Sequence, residues 1–240
     1  MPRVSVGALA DRLAAVRETI ALAAQRVGRD PSAVRIVAVT KTFPPAVVAA
    51  ALAAGLEDVG ENYVQEARAK RRAVGPGGTW HLIGGLQRNK VRAAVATFER
   101  VHTLDSPALA AALAAEAGRA GRRMPVLLQV NVTGEPSRRG VRPEEVAGLA
   151  EAVLALPALA LDGLMAIPPP VAEVAHRRSH FRRLRELRDR ARDRLGVELP
   201  HLSMGMSDDF VIAIEEGATM LRLGRALFGP RGPGAWREGS

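Results

Sequence analysis

The sequence predicts an α/β fold, a single (β/α)8 barrel of the TIM type, and two observations predict it. Short apolar runs rich in β-branched residues recur along the chain, and helical stretches separate most of them, which is the pattern of repeated βα units. The runs number eight, the count that closes a barrel, and 240 residues is close to the length such a barrel uses.

A leading helix is expected over about Val6 to Val27. The first strand, Val34 to Thr40 (VRIVAVT), is almost continuously apolar, which suits a strand buried on both faces. Pro44 and Pro45 then open a helix that runs through Ala54 and closes at Gly55. The other strands are expected at Asp58 to Glu61, Trp80 to Ile83, Val101 to Leu104, Val126 to Val132, Leu161 to Ile167, His201 to Met204 and Met220 to Leu223. From Val171 to Leu195 the chain is strongly basic, yet Phe181, Leu184, Leu187, Ala191 and Leu195 keep helical spacing. The arginines there belong on the outer face of a barrel helix. These elements make one domain over residues 1–229. From Gly229 the sequence GPRGPGAWREGS holds too much Gly and Pro for a packed element, so a flexible tail is expected over residues 230–240.

Composition removes several classes of function. No apolar run approaches the length that crosses a bilayer, and Arg3, Asp11, Arg12, Arg17 and Glu18 interrupt the first thirty residues, so neither a membrane span nor a signal peptide is expected. With no cysteine, the chain holds no disulfide, thiolate metal site or thiol nucleophile, and a cytoplasmic location fits best. The net charge of +9 invites a nucleic-acid reading through phosphate contacts. Against it, only 3% of residues are aromatic, which leaves few platforms for stacking bases, and no helix-turn-helix, zinc-finger or RNA-recognition signature occurs. The basic residues are almost all arginine, a bias that runs through the whole chain, so no nucleic-acid partner is expected. His176 and His180 stand at metal-binding spacing, but no carboxylate occupies the zincin position between them, and no metal site is expected.

In a barrel of this kind the residues just past each strand's C-terminal end face the site. Here those positions bring Thr40-Lys41-Thr42, Gly60-Glu61-Asn62-Tyr63, His81 with Gly84-Gly85, Asn131, Met165 with Ile167-Pro168, Ser203 through Ser207, and Arg222-Leu223-Gly224-Arg225. Lys41 follows an apolar strand, where poor solvation lowers an ammonium pKa and supplies the neutral amine that attacks an aldehyde. The plain alternative is a lysine that snorkels to solvent. Gly224 lets backbone approach an anion closely between strands seven and eight, and Ser203 is placed to add a hydroxyl donor. Arg222 interrupts an apolar strand and needs a partner. Beside a pyridine ring it would disfavour protonation of the ring nitrogen; the alternative is a salt bridge inside the barrel, to Glu61. Glu61 and His81 are read as orienting groups, and Ser207 as the N-cap of a helix favoured by Asp208 and Asp209. An amine, a phosphate cradle and a buried arginine at one mouth describe a phosphorylated aldehyde as ligand. A class I aldolase using Lys41 alone is the simpler rival.

Five segments carry a resemblance: AVTKTFP (38–44), VGENYVQEARAK (59–70), WHLIGGLQRNK (80–90), GLMAIP (163–168) and LSMGMSDDF with AIEEGATMLRLGRALFG (202–229). A looser sixth is QVNVTGEPSRRGV (129–141). Together, in this order, they resemble the YggS/PROSC family of pyridoxal 5'-phosphate (PLP) homeostasis proteins. The resemblance implies a barrel similar to the N-terminal domain of alanine racemase, PLP fold type III, without that enzyme's second domain. It implies PLP as cofactor, Lys41 as the Schiff-base lysine, Arg222 near the pyridine nitrogen, Ser203 with Gly224 and Arg225 at the phosphate, and Asn62 lining the pocket. The implied role is a monomeric, non-catalytic carrier that buffers PLP and keeps vitamin B6 and amino-acid pools balanced, with apo PLP-dependent enzymes as recipients. The alternative is a PLP-dependent amino-acid racemase or lyase. Three departures stand out: Arg225 replaces the family's usual threonine, Gly85 a common proline, and Arg138 a lysine that some members carry.

Overall fold

The computed structural model describes residues 6–169 and 173–230, so the tail beyond Pro230 lies outside the described residues. Helix α1 (Val6–Arg26) comes first, and its Leu9, Leu13, Val16, Ile20, Ala23 and Ala24 recur at helical spacing and are buried. Strand and helix then alternate: β1 (Arg35–Val39), α2 (Pro45–Ala53), β2 (Asp58–Glu61), α3 (Val64–Val74), β3 (Thr79–Leu82), α4 (Val91–Thr97), β4 (Arg100–Leu104) and α5 (Pro107–Arg119). The second half continues with β5 (Met124–Gln129), α6 (Val146–Leu154), β6 (Leu159–Met165), α7 (Val174–Leu195), β7 (His201–Ser203), α8 (Phe210–Glu215), β8 (Met220–Leu223) and the short α9 (Arg225–Phe228).

The eight strands close a parallel barrel in sequence order, with β8 returning to β1 in the register Val37 to Arg222. Strands β2 and β8 fall on their expected residues. β1 is shorter at both ends, because the Val34 amide closes the preceding turn onto the Pro31 carbonyl and the Thr40 carbonyl enters the turn that follows. β5 and β6 both begin two residues before the expected positions and end earlier. Their pairing starts at Met124 with Leu159; past Gln129 the Val130 amide still donates to the Met165 carbonyl, and Val130 forms an isolated bridge to Val141.

A bulge explains how β6 reaches its neighbours. Val126 pairs with Leu161 but Leu127 pairs with Gly163, so Asp162 is the extra residue, and its carboxylate turns to the Arg100 guanidinium 2.5 Å away. Gly163 adopts φ +152°, and a Cβ there would lie 1.9 Å from the His201 carbonyl oxygen of β7. Only glycine meets both demands.

Burial falls into two unequal parts. The large apolar core lies between strands and helices and includes Trp80, Phe98, Leu113 and Phe181. Inside the barrel the apolar cluster is only Val37, Leu127, Met165 and Met220. The arginines of α7 form an outer face as expected; Arg178, Arg182 and Arg185 converge on Glu216, whose side chain is only 4% exposed. Such convergence of one sign of charge is tolerable because each guanidinium keeps water access.

Candidate functional site

At the C-terminal mouth of the barrel a pocket of about 200 Å³ is lined by Lys41, Asn62, Arg222, Gly224 and Arg225. Val39, Ile83 and Ile167 supply its apolar wall, and Ser207 and Asp208 its rim from the β7–α8 loop. The strand ends thus bring an amine, two guanidiniums, an amide and a hydroxyl to one small space.

Lys41 sits in a four-residue turn closed by the Phe43 amide donating to the Thr40 carbonyl at 3.0 Å. The turn puts Thr42 at φ +67°, a region that a β-branched side chain rarely enters and that costs on the order of 1–3 kcal/mol. Two neighbours from α3 hold it there. Glu66 Oε1 accepts the Thr42 amide at 2.5 Å, and Lys70 Nζ donates to the Thr40 carbonyl at 2.6 Å.

Arg222 does not pair with Glu61. Successive strand residues face opposite sides, so Glu61 points outward to Lys70 of α3 and to the Thr40 hydroxyl, while Arg222 points into the barrel. Its Nη2 donates to the Ala166 carbonyl at 2.8 Å and its Nη1 to Ser203 Oγ at 2.7 Å. Ser203 is fully buried and is absent from the pocket lining, so it reaches the site only through Arg222. The pocket serine is Ser207. It is not a helix cap: α8 begins at Phe210, and Ser207 Oγ instead accepts the Ala226 amide at 3.1 Å.

Beyond Ser203 the polar contacts continue down the barrel. Ser203 Oγ meets His102 Nδ1 at 2.9 Å, His102 Nε2 meets His81 Nδ1 at 2.8 Å, and His81 Nε2 meets Asp58 Oδ1 at 2.8 Å. His81 therefore lies deep in the barrel rather than at the mouth. With both histidines neutral the bonds run in one direction, since Arg222 only donates and an ionised Asp58 only accepts: Arg222 to Ser203 to His102 to His81 to Asp58. Burial pushes the Asp58 carboxyl up, but the His81 hydrogen bond and the charges of Arg35 and Arg100 hold it below the usual range. Burial, with the nearby charges of Arg222 and Arg100, holds His102 well below an ordinary histidine pKa. Burial also lowers Arg222, to about 10, so it stays cationic near neutral pH. His102 was not singled out from the sequence. The readable signal is parity: Asp58, His81, His102, Ser203 and Arg222 all occupy inward positions of their strands.

The departures have local explanations. Arg225 forms an ion pair with Asp208, both more than half exposed at the pocket rim. Gly85 leaves space for the Arg139 guanidinium, which a Cβ would meet at 1.7 Å. Arg138 pairs with Glu135 at 3.1 Å and is not part of the pocket lining. His176 is 3.0 Å from Glu173, and among the described residues no three His, Asp or Glu side chains gather as metal ligands. No helix among the described residues is long and apolar enough to cross a membrane.

A barrel of eight parallel strands with a lysine at the end of the first and an arginine inside the eighth defines a class, and the family model of the alanine racemase N-terminal domain matches residues 12–232. The chain belongs to that family and, within it, to the pyridoxal phosphate homeostasis proteins. It is 48% identical to the pyridoxal phosphate homeostasis protein of Pseudomonas aeruginosa, over 95% of this chain and 97% of that one. The Aquifex aeolicus protein of the same name is 43% identical, over 92% and 97%. Among solved structures, PipY of Synechococcus elongatus with PLP bound superposes with a TM-score of 0.82 at 37% identity, covering 92% of this chain and all of PipY. Alanine racemase of Corynebacterium glutamicum shares the fold, with a TM-score of 0.68 at 21% identity, over 94% of this chain but 61% of the racemase.

Proposed function

We propose that this protein binds PLP reversibly on Lys41 and carries it, limiting the free aldehyde, rather than using it in catalysis. The observation that carries the reading is the single pocket joining the Lys41 amine to Arg222, Asn62 and the Ser207–Gly224–Arg225 corner. These groups fit the cofactor: Lys41 would meet the aldehyde, Arg222 the ring nitrogen, and Gly224, Arg225 and Ser207 the phosphate. When bound, PLP supplies an aldehyde that an uncharged amine attacks reversibly. Arg222 is fixed by Ser203 and Ala166, so it holds positive charge where an electron-sink cofactor needs a proton on its ring nitrogen. The chain's one tyrosine, Tyr63, does not line the pocket, and the acidic wall group Asp208 is engaged by Arg225. Neither stands ready as a second base opposite Lys41, which supports a carrier over a racemase or lyase. Apo forms of PLP-dependent enzymes are the recipients, in the cytoplasm, and the carrier acts as a monomer.

Borohydride reduction of the PLP-incubated protein followed by peptide mass spectrometry is the decisive experiment. A pyridoxyl adduct on Lys41, lost in Lys41→Ala, is expected. An unmodified Lys41 in the reduced wild type sinks the reading, and steady-state turnover of alanine or serine that depends on Lys41 sinks its non-catalytic part.

Asp208 lies against the phosphate corner and occupies Arg225. Asp208→Asn should therefore tighten PLP binding by about twofold to fivefold, the scale of an exposed ion pair, and the gain should shrink as salt is raised. Equilibrium dialysis at two ionic strengths measures both.

A further inference from the structure

Lys70 is fully buried beneath the turn that carries Lys41. Its ammonium donates to three oxygens: the Thr40 carbonyl at 2.6 Å, Glu61 Oε1 at 2.7 Å and Glu66 Oε1 at 2.6 Å. The same two carboxylates reach the residues on either side of Lys41. Glu66 Oε1 accepts the Thr42 amide at 2.5 Å, and Glu61 Oε1 accepts the Thr40 hydroxyl at 2.5 Å. A buried ion pair is a poor stabiliser compared with apolar packing of the same volume, so its cost suggests a local purpose. What it holds is a turn whose Thr42 stands at φ +67°.

We propose that Lys70, together with Glu61 and Glu66, is a positioning device for the Lys41 amine. The ammonium ties the end of β1 to β2 and α3, and Glu66 pins the amide just past Lys41, so the lysine leaves the strand in one direction, into the pocket. The inference rests on Lys41 being the PLP lysine. In that step the Lys41 nitrogen adds to the aldehyde carbon, a carbon–nitrogen bond forms and the carbonyl oxygen departs as water, so its rate depends on how closely the amine is held to the carbon. Lys70 touches neither reacting atom and acts through the backbone of residues 40 to 42.

The test uses the full chain as Glu66→Ala, Glu66→Gln and Lys70→Met. Two quantities are read: exchange of the Thr42 amide in PLP-free protein, and the initial rate at which added PLP becomes reducible by borohydride onto Lys41, beside the total PLP retained. Glu66→Ala should speed Thr42 exchange and slow the Lys41 reaction, each on the order of tenfold, while retained PLP falls much less. Glu66→Gln keeps an oxygen for both donors and should stay within about threefold of wild type. Lys70→Met should follow Glu66→Ala; if it does not fold, the two Glu66 variants decide alone. Glu66→Ala reacting at the wild-type rate, or Glu66→Gln failing as badly as Glu66→Ala, overturns the proposal. Absence of any Lys41 adduct in wild type would instead overturn the PLP reading, and Thr42 exchange would still test the clamp.

Discussion

Replacing His102 by leucine is expected to lower the unfolding free energy by about 2–6 kcal/mol. The imidazole is fully buried and serves two neighbours at once, accepting from Ser203 at Nδ1 and donating to His81 from Nε2. Leucine has similar bulk but leaves the Ser203 O–H without an acceptor and the His81 Nδ1 without a donor, and each buried polar group so stranded costs about 1–3 kcal/mol. His102→Gln carries an acceptor and a donor side by side and should recover a large part of the loss. Denaturant unfolding of PLP-free protein compares the three. A leucine variant as stable as wild type would show that the polar chain does not act as a unit. The functional consequence lies at the other end. Ser203 anchors one of the two Arg222 nitrogens that are held inside the barrel, so PLP affinity should fall in His102→Leu and return in His102→Gln.

The polar chain also shows which parts of this protein can be read from sequence. Strands buried on both faces have to be apolar almost throughout, so VRIVAVT and its counterparts declare themselves, and the closed barrel follows from their number. Lys41 and Arg222 are legible for the same reason, since a charge at the end of or within such a run is conspicuous. The start of β6 is less legible, because Leu159 and Ala160 continue the alanine–leucine texture of α6, and only pairing with Met124 draws them into the sheet. The bulge at Asp162 depends on the His201 carbonyl, which comes from another strand. Ser203 and Ser207 share one short segment, and only the end of β7 decides which of them faces the pocket and which faces Arg222. Of the two alternatives for Arg222, the salt bridge to Glu61 does not form, because strand parity sends Glu61 out toward α3. Asp58 and His102 read as ordinary polar residues in a strand, and His81 as an orienting group at the mouth; closure of the barrel is what makes the three neighbours.

Between about pH 6.5 and 8 wild type should lose about 1 kcal/mol of stability relative to Glu61→Gln. Burial raises the Glu61 carboxyl from the ordinary 4.5 to about 7, against the opposing pull of Lys70 and the Thr40 hydroxyl. Geometry agrees, since one ammonium is shared with Glu66 and the buried Glu61 Oε2 has no hydrogen-bond partner. The folded state therefore holds a proton on Glu61 that the unfolded chain releases. The stabilisation is fully present below pH 4.5, shrinks as pH rises, and is lost through about pH 7. His102 and His201 act with the opposite sign and in an overlapping window. His102 is held well below 6.5, and burial with the Arg100 and Arg35 charges brings His201 to about 4, so the stability they confer is still rising as pH passes 6.5 and is lost on acidification. The histidine slope is common to wild type and Glu61→Gln, so the difference between them isolates the Glu61 carboxyl, which the glutamine cannot reproduce. Denaturant midpoints of wild type and Glu61→Gln at pH 6.5, 7.25 and 8 separate the cases, and parallel curves would place the buried proton elsewhere. Because Glu61 also holds Lys70 beneath the Lys41 turn, loss of that proton changes the charge of the cluster near neutral pH. The rate of the Lys41 reaction in wild type should bend in the same pH range, and in Glu61→Gln it should not.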